Sequence, residues 1–275
     1  MVGRIIKLIS NDYTVLGSDG RIYVCKSRGK FRVMDLSPVV GDMVKIDPEQ
    51  RYILEVLPRK NHLVRPPVSN IDHIVIVTSV KDPDFSTHLL DKLLVIMEYY
   101  NVHPIICFTK LDLLDDSSIM DSYIDYYKEI GYPVYINTEL KAIKKIFKGK
   151  VIAFTGQSGA GKSTLLNRLD PDLNIQTNEI SKALGRGKHT TRHVELIPME
   201  QGWVADTPGF SAIDFHEMSR SDIRDNFVEF QTNRDQCKYK DCMHDKEDKC
   251  AIKELVSQNK ILSSRYQNYL KFIQR

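Results

Sequence analysis

The residues best suited to chemistry form a glycine-rich segment near the middle of the chain. Residues 156–163 match the pattern G-x-x-x-x-G-K-[ST] in full, between a strand-like run at 151–154 and a helix-like run at 164–169. This is the context that a phosphate-binding loop requires, with Lys162 reaching the β- and γ-phosphates and Ser163 ligating Mg²⁺. The predicted nucleotide-binding residues here are Gly156, Gln157, Ser158, Gly159, Ala160, Gly161, Lys162, Ser163 and Thr164.

A second segment, made of Thr109, Lys110, Leu111 and Asp112, indicates which nucleotide binds. It follows a strand-like run at 105–108, at the edge of a sheet where ligands bind. The Asp112 carboxylate can accept hydrogen bonds from N1–H and the exocyclic amine of guanine, a donor pair that adenine lacks. The stem of Lys110 is expected to stack on the base or to brace the phosphate loop. The tripeptide K-x-D alone is a common surface turn, but after a strand, beside a phosphate loop, it favours guanine.

Two loops are expected to respond to the γ-phosphate. Asp206 and Gly209 belong to a D-x-x-G element, in which the aspartate lies in the Mg²⁺ shell and the glycine N–H contacts the γ-phosphate. The loop at 185–193 carries Thr190 and Thr191, each a candidate to close on Mg²⁺ and the γ-phosphate. Its basic side chains are candidates for phosphate or RNA contacts: Arg186, Lys188 and Arg192.

Three cysteines and a histidine near the C-terminus have the spacing of a metal site. Cys237, Cys242, His244 and Cys250 offer three thiolates and one imidazole within fourteen residues, a set that suits one closed, structural, tetrahedral Zn²⁺ site. The alternative is a redox or incidental cysteine cluster. The odd total of five cysteines does not predict a disulfide framework and indicates a reducing cytoplasm.

A basic stretch near the N-terminus predicts a nucleic-acid contact. Five basic residues fall within thirteen positions that contain no acid, and Tyr23 and Phe31 lie among them. Such a surface can follow phosphates and stack on bases, although a solvated face is the plain alternative. The predicted RNA-binding residues are Arg21, Lys26, Arg28, Lys30 and Arg32.

The elements that must position these residues fall into three predicted domains. Residues 1–67 contain several short β-rich runs and a hairpin signal at Asp19-Gly20, which predict a small closed barrel, of OB type or SH3-like. Residues 68–215 alternate between strand and helix patterns, which predict a parallel sheet with helices on both faces. Residues 216–275 predict a helical, zinc-binding domain. The formal charge of these three parts is +5, −4 and +2, and basic ends suit a large anionic partner.

Composition excludes several classes of protein. Apolar residues make up 42% and charged residues 27% of the 275 positions, with a net charge of +3, as in a globular protein. No apolar window is long enough to predict a membrane span, and the N-terminus lacks the features of a secretion signal. We therefore expect a cytoplasmic protein with no membrane partner.

The order of the motifs is unusual. The base motif at 109–112 precedes the phosphate loop at 156–163, whereas in most GTPases the phosphate loop comes first. A circular permutation produces this order, because domain termini usually lie close together. Both segments are then expected at one edge of a single sheet. With this order, the sequence resembles the circularly permuted, ribosome small-subunit-dependent GTPases of the RsgA family. The motifs that carry the resemblance along the whole chain are TKLD, GQSGAGKST, GRGKHTTRH, DTPGF and the Cys/His cluster.

The resemblance implies a function. It implies hydrolysis of GTP to GDP and phosphate, with Mg²⁺, stimulated by the small ribosomal subunit, and a role in the late maturation of that subunit. It also implies an OB-type barrel that contacts ribosomal RNA. The expected partners are GTP, GDP, the small subunit and its rRNA, and we expect a monomer.

Catalysis requires a group other than the usual glutamine. Ras-like enzymes place a glutamine after D-x-x-G to orient the attacking water, but here that position is Phe210. The resemblance points to His189, with His193 as the local alternative, and hydrolysis is expected to be slow without the ribosome. The candidate catalytic residues are His189, Lys162, Thr190 and Thr191. A departure from the usual pattern is Asn137-Thr138-Glu139, where a serine-alanine element normally supports guanine O6.

Two other functions fit parts of the pattern. An ATP-dependent kinase would use the same phosphate loop but would not need a guanine-reading aspartate. An RNA-binding assembly factor with a merely structural phosphate loop would not turn over GTP. Nucleotide preference separates the first from a GTPase, and turnover with and without small subunits separates the second.

Overall fold

The fold is described from a computed structural model, which covers residues 1–29, 31, 36–64, 66–173, 194–206 and 214–274. These residues form two compact units, each assembled from separate stretches of the chain. The barrel unit contains described residues from 1–75, 138–155 and 161–206. The helical unit contains described residues from 76–137, 156–160 and 214–274.

The first five strands of the barrel unit close into a barrel. They are β1 (Val2–Ile9), β2 (Asp12–Gly17), β3 (Ile22–Ser27), β4 (Met43–Asp47) and β5 (Tyr52–Val56). The strand order is β1-β2-β3-β5-β4, and β4 pairs again with β1. Every other residue points inward, so that Ile5, Val15 and Ile53 are fully buried. Closure removes the exposed sheet edges, and the predicted OB-type barrel is confirmed.

The segment after the barrel is held by a buried carboxylate. Asp42 is fully buried, and its Oδ1 accepts hydrogen bonds from Arg59 Nε at 2.7 Å and Ser69 Oγ at 2.6 Å. The short strands β6 (His62–Leu63) and β7 (Val68–Ser69) pair here. The segment around Pro66 and Pro67 therefore packs in the same unit as the barrel.

The remainder of the barrel unit contains the strand before the phosphate loop, the helix after it and two further strands. Its elements are α3 (Leu140–Ile146), β11 (Val151–Thr155), α4 (Lys162–Leu169), a 3₁₀ turn (Pro171–Leu173), β12 (Glu195–Met199) and β13 (Gly202–Asp206). β11 and β13 are parallel, as expected, but β12 runs antiparallel to β13. The reason is the tight turn at Glu200-Gln201, because two residues can join only antiparallel strands.

The helical unit begins with three strands and two helices, and the first three residues of β8 are counted in the barrel unit. These are β8 (His73–Ser79), α1 (Thr87–Tyr99), β9 (His103–Thr109), a 3₁₀ turn (Leu111–Leu113), α2 (Ser118–Glu129) and β10 (Val134–Ile136). β9 lies between β8 and β10 and is parallel to β10. Side chains such as Leu93 and Phe108 form the core between sheet and helices. The predicted alternation of strands and helices is confirmed here.

The C-terminal helices surround a buried polar network. They are α5 (Arg220–Asp225), α6 (Val228–Asn233), a 3₁₀ turn (Arg234–Gln236), α7 (Ala251–Ser257) and α8 (Ser263–Ile273). Arg265 of α8 is fully buried and donates to Asp91 of α1 at 2.8 Å and to Glu229 of α6 at 2.8 Å. Tyr127 and Asn268 donate to the same aspartate, both at 2.6 Å. This charged cluster thus joins four helices: α1, α2, α6 and α8.

Candidate nucleotide site and metal cluster

The base motif lies where the buried strand β9 ends. Thr109 is the last strand residue and is buried. Lys110 has a left-handed backbone, with φ of 62°, which turns the chain into the 3₁₀ turn at Leu111–Leu113. Asp112 is exposed on this turn, so its carboxylate is open to an incoming base.

The phosphate loop needs its glycines for space and for backbone geometry. Gly156 has φ of 133°, and a Cβ atom placed on it would lie 2.0 Å from the carbonyl oxygen of Val77. Gly161 has φ of 92° at the N-cap of α4. This conformation is accessible to glycine and strained for other residues. Ser163 in the first turn of α4 is buried, and burial lowers the pKa of Lys162. An ammonium in this place gains from a polyphosphate partner.

A hydrogen bond joins the base motif to the phosphate loop. Thr109 Oγ1 donates to the carbonyl oxygen of Ala160 at 2.7 Å, and both residues are almost fully buried. On the other side of β9, the N–H of Asn137 donates to the carbonyl of Phe108 at 2.9 Å. The register that pairs Ile136 with Phe108 places the segment beginning at Asn137 at the same strand ends.

The loop between β8 and α1 also lies at these strand ends, and the sequence analysis did not select it. Lys110 Nζ donates to the carbonyl of Asp82, and Lys81 Nζ donates to the carbonyl of Leu113 at 3.2 Å. Pro83 Cδ lies 3.5 Å from the position that a Cβ would take on Gly159. The sequence signal that could have identified this loop is its position directly after a buried strand, because parallel sheets bind ligands at that edge.

Several candidate residues lie outside the part of the chain that the structure describes. They are His189, His193, Thr190, Thr191, Gly209, Phe210, Arg186, Lys188, Arg192, Lys30 and Arg32. Asp206 ends β13, but its side chain is likewise not described.

The four predicted metal ligands converge. The ligand atoms of Cys237, Cys242, His244 and Cys250 all lie within 4.8 Å of one another. His244 Nδ1 is 3.3 Å from Cys250 Sγ and 3.7 Å from Cys237 Sγ, and the sulfurs of Cys237 and Cys250 are 4.0 Å apart. Tetrahedral ligands with Zn–S bonds of about 2.3 Å lie about 3.8 Å from each other. The spacing therefore fits a zinc site.

The electrostatics of this cluster also favour a cation. Burial raises the pKa of the Cys242 thiol to about 12 and lowers the pKa of His244 to about 4. The imidazole is thus neutral, as a metal ligand must be, and the thiol requires a bound cation to ionise. All five cysteines are described and none forms a disulfide. The residues present fit Zn²⁺ with no open coordination position.

The C-terminal helix α8 holds the backbone of the metal cluster. Tyr266 OH donates to the carbonyl of His244 at 2.7 Å, and Tyr269 OH donates to the carbonyl of Met243. Phe230 of α6 places its ring edge-to-face with the His244 imidazole, 5.4 Å between centroids. Packing and hydrogen bonds thus orient the histidine from outside the ligand set.

The basic face of the barrel differs in two respects from its sequence pattern. Acidic residues that are close in space pair with it. Lys26 lies 2.7 Å from Asp12 on the adjacent strand β2, and Arg21 lies 3.9 Å from Asp19. The run is therefore free of acids in sequence but not in space. Phe31 is 3% exposed, so the expectation that it stacks on bases is wrong, because its ring is used in the barrel core.

A different aromatic residue lies on the outer face of the barrel. Tyr52 of β5 is 40% exposed, and the Arg28 guanidinium lies 5.7 Å from the centre of its ring. Tyr52 pairs with Lys26 across the parallel β3–β5 register. Exposed Ile22 and Val24 lie on the same outward row of β3. Tyr52 could not be selected from the sequence, because the strand register decides which way its side chain faces.

The phosphate loop and the base motif at the ends of parallel strands, in reversed chain order, define a class: the circularly permuted P-loop GTPases. A sequence model of the RsgA GTPase matches residues 56–216, and a model of the RsgA N-terminal domain matches residues 2–52. The chain belongs to the RsgA family of GTPases, and it is a GTP hydrolase.

Curated relatives and solved structures agree with this assignment. The chain is 48% identical to "Small ribosomal subunit biogenesis GTPase RsgA 2" of Oceanobacillus iheyensis, over 99% of this chain and 96% of that protein. It is 47% identical to RsgA 1 of Listeria monocytogenes, with the same coverage. The crystal structure of YloQ, titled a circularly permuted GTPase, has a TM-score of 0.83 at 36% identity, covering 99% of this chain and 93% of YloQ.

A second solved structure extends the match. The structure of YjeQ from Thermotoga maritima has a TM-score of 0.85 at 32% identity, covering 99% of this chain and 97% of YjeQ. The predicted family and fold class are therefore confirmed. Within the described part of the chain, no helix is both long and apolar enough to cross a lipid bilayer.

Proposed function

We propose that this chain binds the small ribosomal subunit, hydrolyses GTP when the subunit stimulates it, and acts in the late maturation of that subunit. The observation that carries the proposal is the hydrogen bond from Thr109 to Ala160, which links a guanine-reading motif to a phosphate loop. The names of relatives that match almost the whole chain supply the ribosomal context.

The roles of the nucleotide-site residues follow from their chemistry. Asp112 accepts hydrogen bonds from guanine, and Lys162 contacts the β- and γ-phosphates. Ser163, Asp206 and either Thr190 or Thr191 would hold Mg²⁺, which would neutralise charge on the phosphates. His189 positions the attacking water. GTP closes the loops at 185–193 and 206–212, and hydrolysis opens them to promote release.

Turnover measurements test the proposal. GTP hydrolysis by the full chain is measured with and without purified small subunits, and ATP serves as the nucleotide control. We expect slow GTP turnover that the subunits stimulate and no comparable ATP turnover. Equal use of ATP supports a kinase instead, and the absence of stimulation supports a binding factor with a structural phosphate loop. Either outcome contradicts the proposal.

The guanine-reading role of Asp112 has its own test. Asp112→Asn replaces a carboxylate oxygen by an amide donor, which suits the O2 carbonyl of xanthine rather than the amine of guanine. The variant is expected to shift binding from GDP towards xanthosine diphosphate. The neighbouring Asp115→Asn, on an exposed aspartate three positions along, is the matched control and should retain the GDP preference. An unshifted Asp112→Asn variant contradicts the assignment.

The metal cluster supports a structural role for one Zn²⁺. Cys237, Cys242, His244 and Cys250 would hold the ion, which would order a segment that has few apolar residues. Metal analysis of the purified protein is expected to give one zinc per chain. Cys242→Ser should lower this content and the thermal stability, whereas Cys107→Ser, on a buried cysteine of β9, should leave the zinc content unchanged.

The outer face of the barrel supports contact with ribosomal RNA. Lys26, Arg28 and Arg21 supply charge for phosphates, and Tyr52 supplies an exposed ring for stacking. Lys30 and Arg32 belong to the same basic stretch. Tyr52→Ala is expected to weaken subunit binding with little change in intrinsic GTP turnover. A variant that binds small subunits as the wild type does contradicts this contact.

The remaining assignments follow from the same reasoning. A partner in the cytoplasm implies a cytoplasmic protein. The domain division at 1–67, 68–215 and 216–275 and the monomeric state remain predictions.

A further inference from the structure

We propose that Lys81, in the loop between β8 and α1, is a positioning residue for guanine recognition. It is proposed to hold the backbone that carries Asp112 through the carbonyl of Leu113. This inference rests on the proposed role of Asp112 and extends it to a segment with no nucleotide-binding motif.

The backbone around Asp112 is held at its two ends, where Leu111 and Leu114 pack against the core, and has few contacts between them. The turn at Leu111–Leu113 contains no buried residue, and no side chain caps it at Lys110. Inside the turn, the N–H of Leu113 donates to Lys110 at 3.0 Å. Asp112 and Leu113 are exposed, so we expect the direction of the Asp112 carboxylate to depend in part on contacts from outside the turn.

The loop at 80–85 and the base motif are joined by two hydrogen bonds, one donated from each side. Lys81 Nζ donates to the carbonyl of Leu113, the residue after Asp112, at 3.2 Å. Lys110 Nζ donates in the opposite direction, to the carbonyl of Asp82. Each loop thus supplies one ammonium to the main chain of the other. Hydrogen bonds from an ionised donor are stronger than neutral ones, so the two loops are expected to move as one.

The loop at 80–85 is itself fixed at several points. Ser79 Oγ donates to the carbonyl of Lys81 at 2.6 Å, and the N–H of Val80 donates to the carbonyl of Thr109 at 3.2 Å. The ring of Phe85 packs against Phe108 of β9, with 5.6 Å between centroids. Lys81 therefore extends from an anchored backbone, and its pairing with Leu113 transmits that rigidity to the base motif.

Specificity is the property that this contact is expected to control. Guanine differs from hypoxanthine only in the exocyclic amine, which is one of the two donors available to Asp112. When the Asp112 carboxylate is displaced, GDP loses the hydrogen bond from its exocyclic amine. Inosine diphosphate has no exocyclic amine and therefore has no such bond to lose. Loss of Lys81 is thus expected to reduce the affinity for GDP more than the affinity for inosine diphosphate.

The experiment is a titration of the full chain with GDP and inosine diphosphate, in the presence of Mg²⁺. Lys81→Met retains the alkyl stem and removes the donor. It is expected to lower the ratio of GDP to inosine diphosphate affinity by about two- to tenfold, the range for one hydrogen bond. Lys81→Arg restores a donor and should recover the ratio. Lys128→Met, on an exposed lysine of α2, is the matched control and should not change it.

The outcomes separate this inference from the function on which it rests. An unchanged ratio in Lys81→Met, or an equal loss of both affinities, overturns the positioning role. If Asp112→Asn shifts binding to xanthosine diphosphate while Lys81→Met leaves the ratio unchanged, only the inference fails. If Asp112→Asn causes no shift, the guanine-reading role and the inference fail together.

Discussion

The nucleotide loops and the C-terminal helices of the helical unit are held in opposite ways. Arg265 is fully buried between Asp91 and Glu229, in a network that joins several helices. Asp112 lies on an exposed turn with no buried residue, supported by bonds to main-chain carbonyls. Buried charges resist rearrangement because an unpaired one is costly. The helices are therefore held by buried charges, whereas the exposed turn of Asp112 is held by hydrogen bonds from a neighbouring loop.

Arg265→Met should give the largest effect in this comparison. It leaves two carboxylates buried without their cation, so the free energy of unfolding is expected to fall by about 3–5 kcal/mol. Chemical denaturation measures this change. GDP affinity of the folded protein should remain unchanged, because the network lies outside the nucleotide loops.

The control for that variant is Lys271→Met, an exposed position on the same helix, where stability should barely change. A loss below about 1 kcal/mol in Arg265→Met would mean that the network contributes little net energy, as some buried ion pairs do. The contrast between the helices and the exposed turn would then disappear.

Thr109→Val should give an intermediate effect that appears in binding. The substitution keeps the shape of the side chain but leaves the buried carbonyl of Ala160 without its donor, which costs about 1–3 kcal/mol. Because this bond joins two ligand loops, we expect weaker GDP binding, measured by calorimetry. Thr109→Ser retains the hydroxyl and should bind more tightly than the valine variant. Equal affinities for the two variants would contradict a role for the hydroxyl.

Asp72 should give the smallest effect, visible as a pH dependence. Burial alone would raise the pKa of this carboxyl, but the hydrogen bond from the N–H of Val151 and the ion pair with Lys60 hold it below its usual 3.8. The contribution of Asp72 to the free energy of unfolding is thus complete at neutral pH. It is lost as the pH falls through the pKa of this carboxyl in the folded protein. With an exposed lysine partner, it is at most about 1 kcal/mol.

Asp72→Asn tests this contribution through stability measured between pH 5 and pH 2. The wild type should lose more stability than the variant over that interval, because only the wild type must protonate this group. Parallel pH profiles for the two proteins would show that the charge of Asp72 does not stabilise the fold.

Much of the site could be predicted because its motifs are contiguous. The phosphate loop, the base motif and the Cys/His cluster each combine residue types and spacing within a short stretch of chain. Barrel and sheet strands were predictable for a similar reason, since hydrophobic periodicity is local. The antiparallel β12 was not predicted, because its pattern resembles a loop until the turn at Glu200-Gln201 is known.

Other features depended on contacts between distant residues. The pattern of α8 predicted one apolar face but not a fully buried Arg265, because its partners are 36 and 174 positions away. Tyr52 was not selected because strand register decides which side chains point inward. Phe31 was expected outside the barrel, but it lies in the connection between β3 and β4 and is buried in the core.

The sequence by itself determined the family, and it selected the base motif, the phosphate loop and the four candidate metal ligands, because each lies in a short run whose chemistry does not depend on the rest of the chain. Only the tertiary structure decided that Lys81 reaches the turn of Asp112, that Thr109 holds Ala160, and that Tyr52 faces outward. The physical reason is that hydrogen bonds and packing join residues by distance in space, and strand order sets that distance.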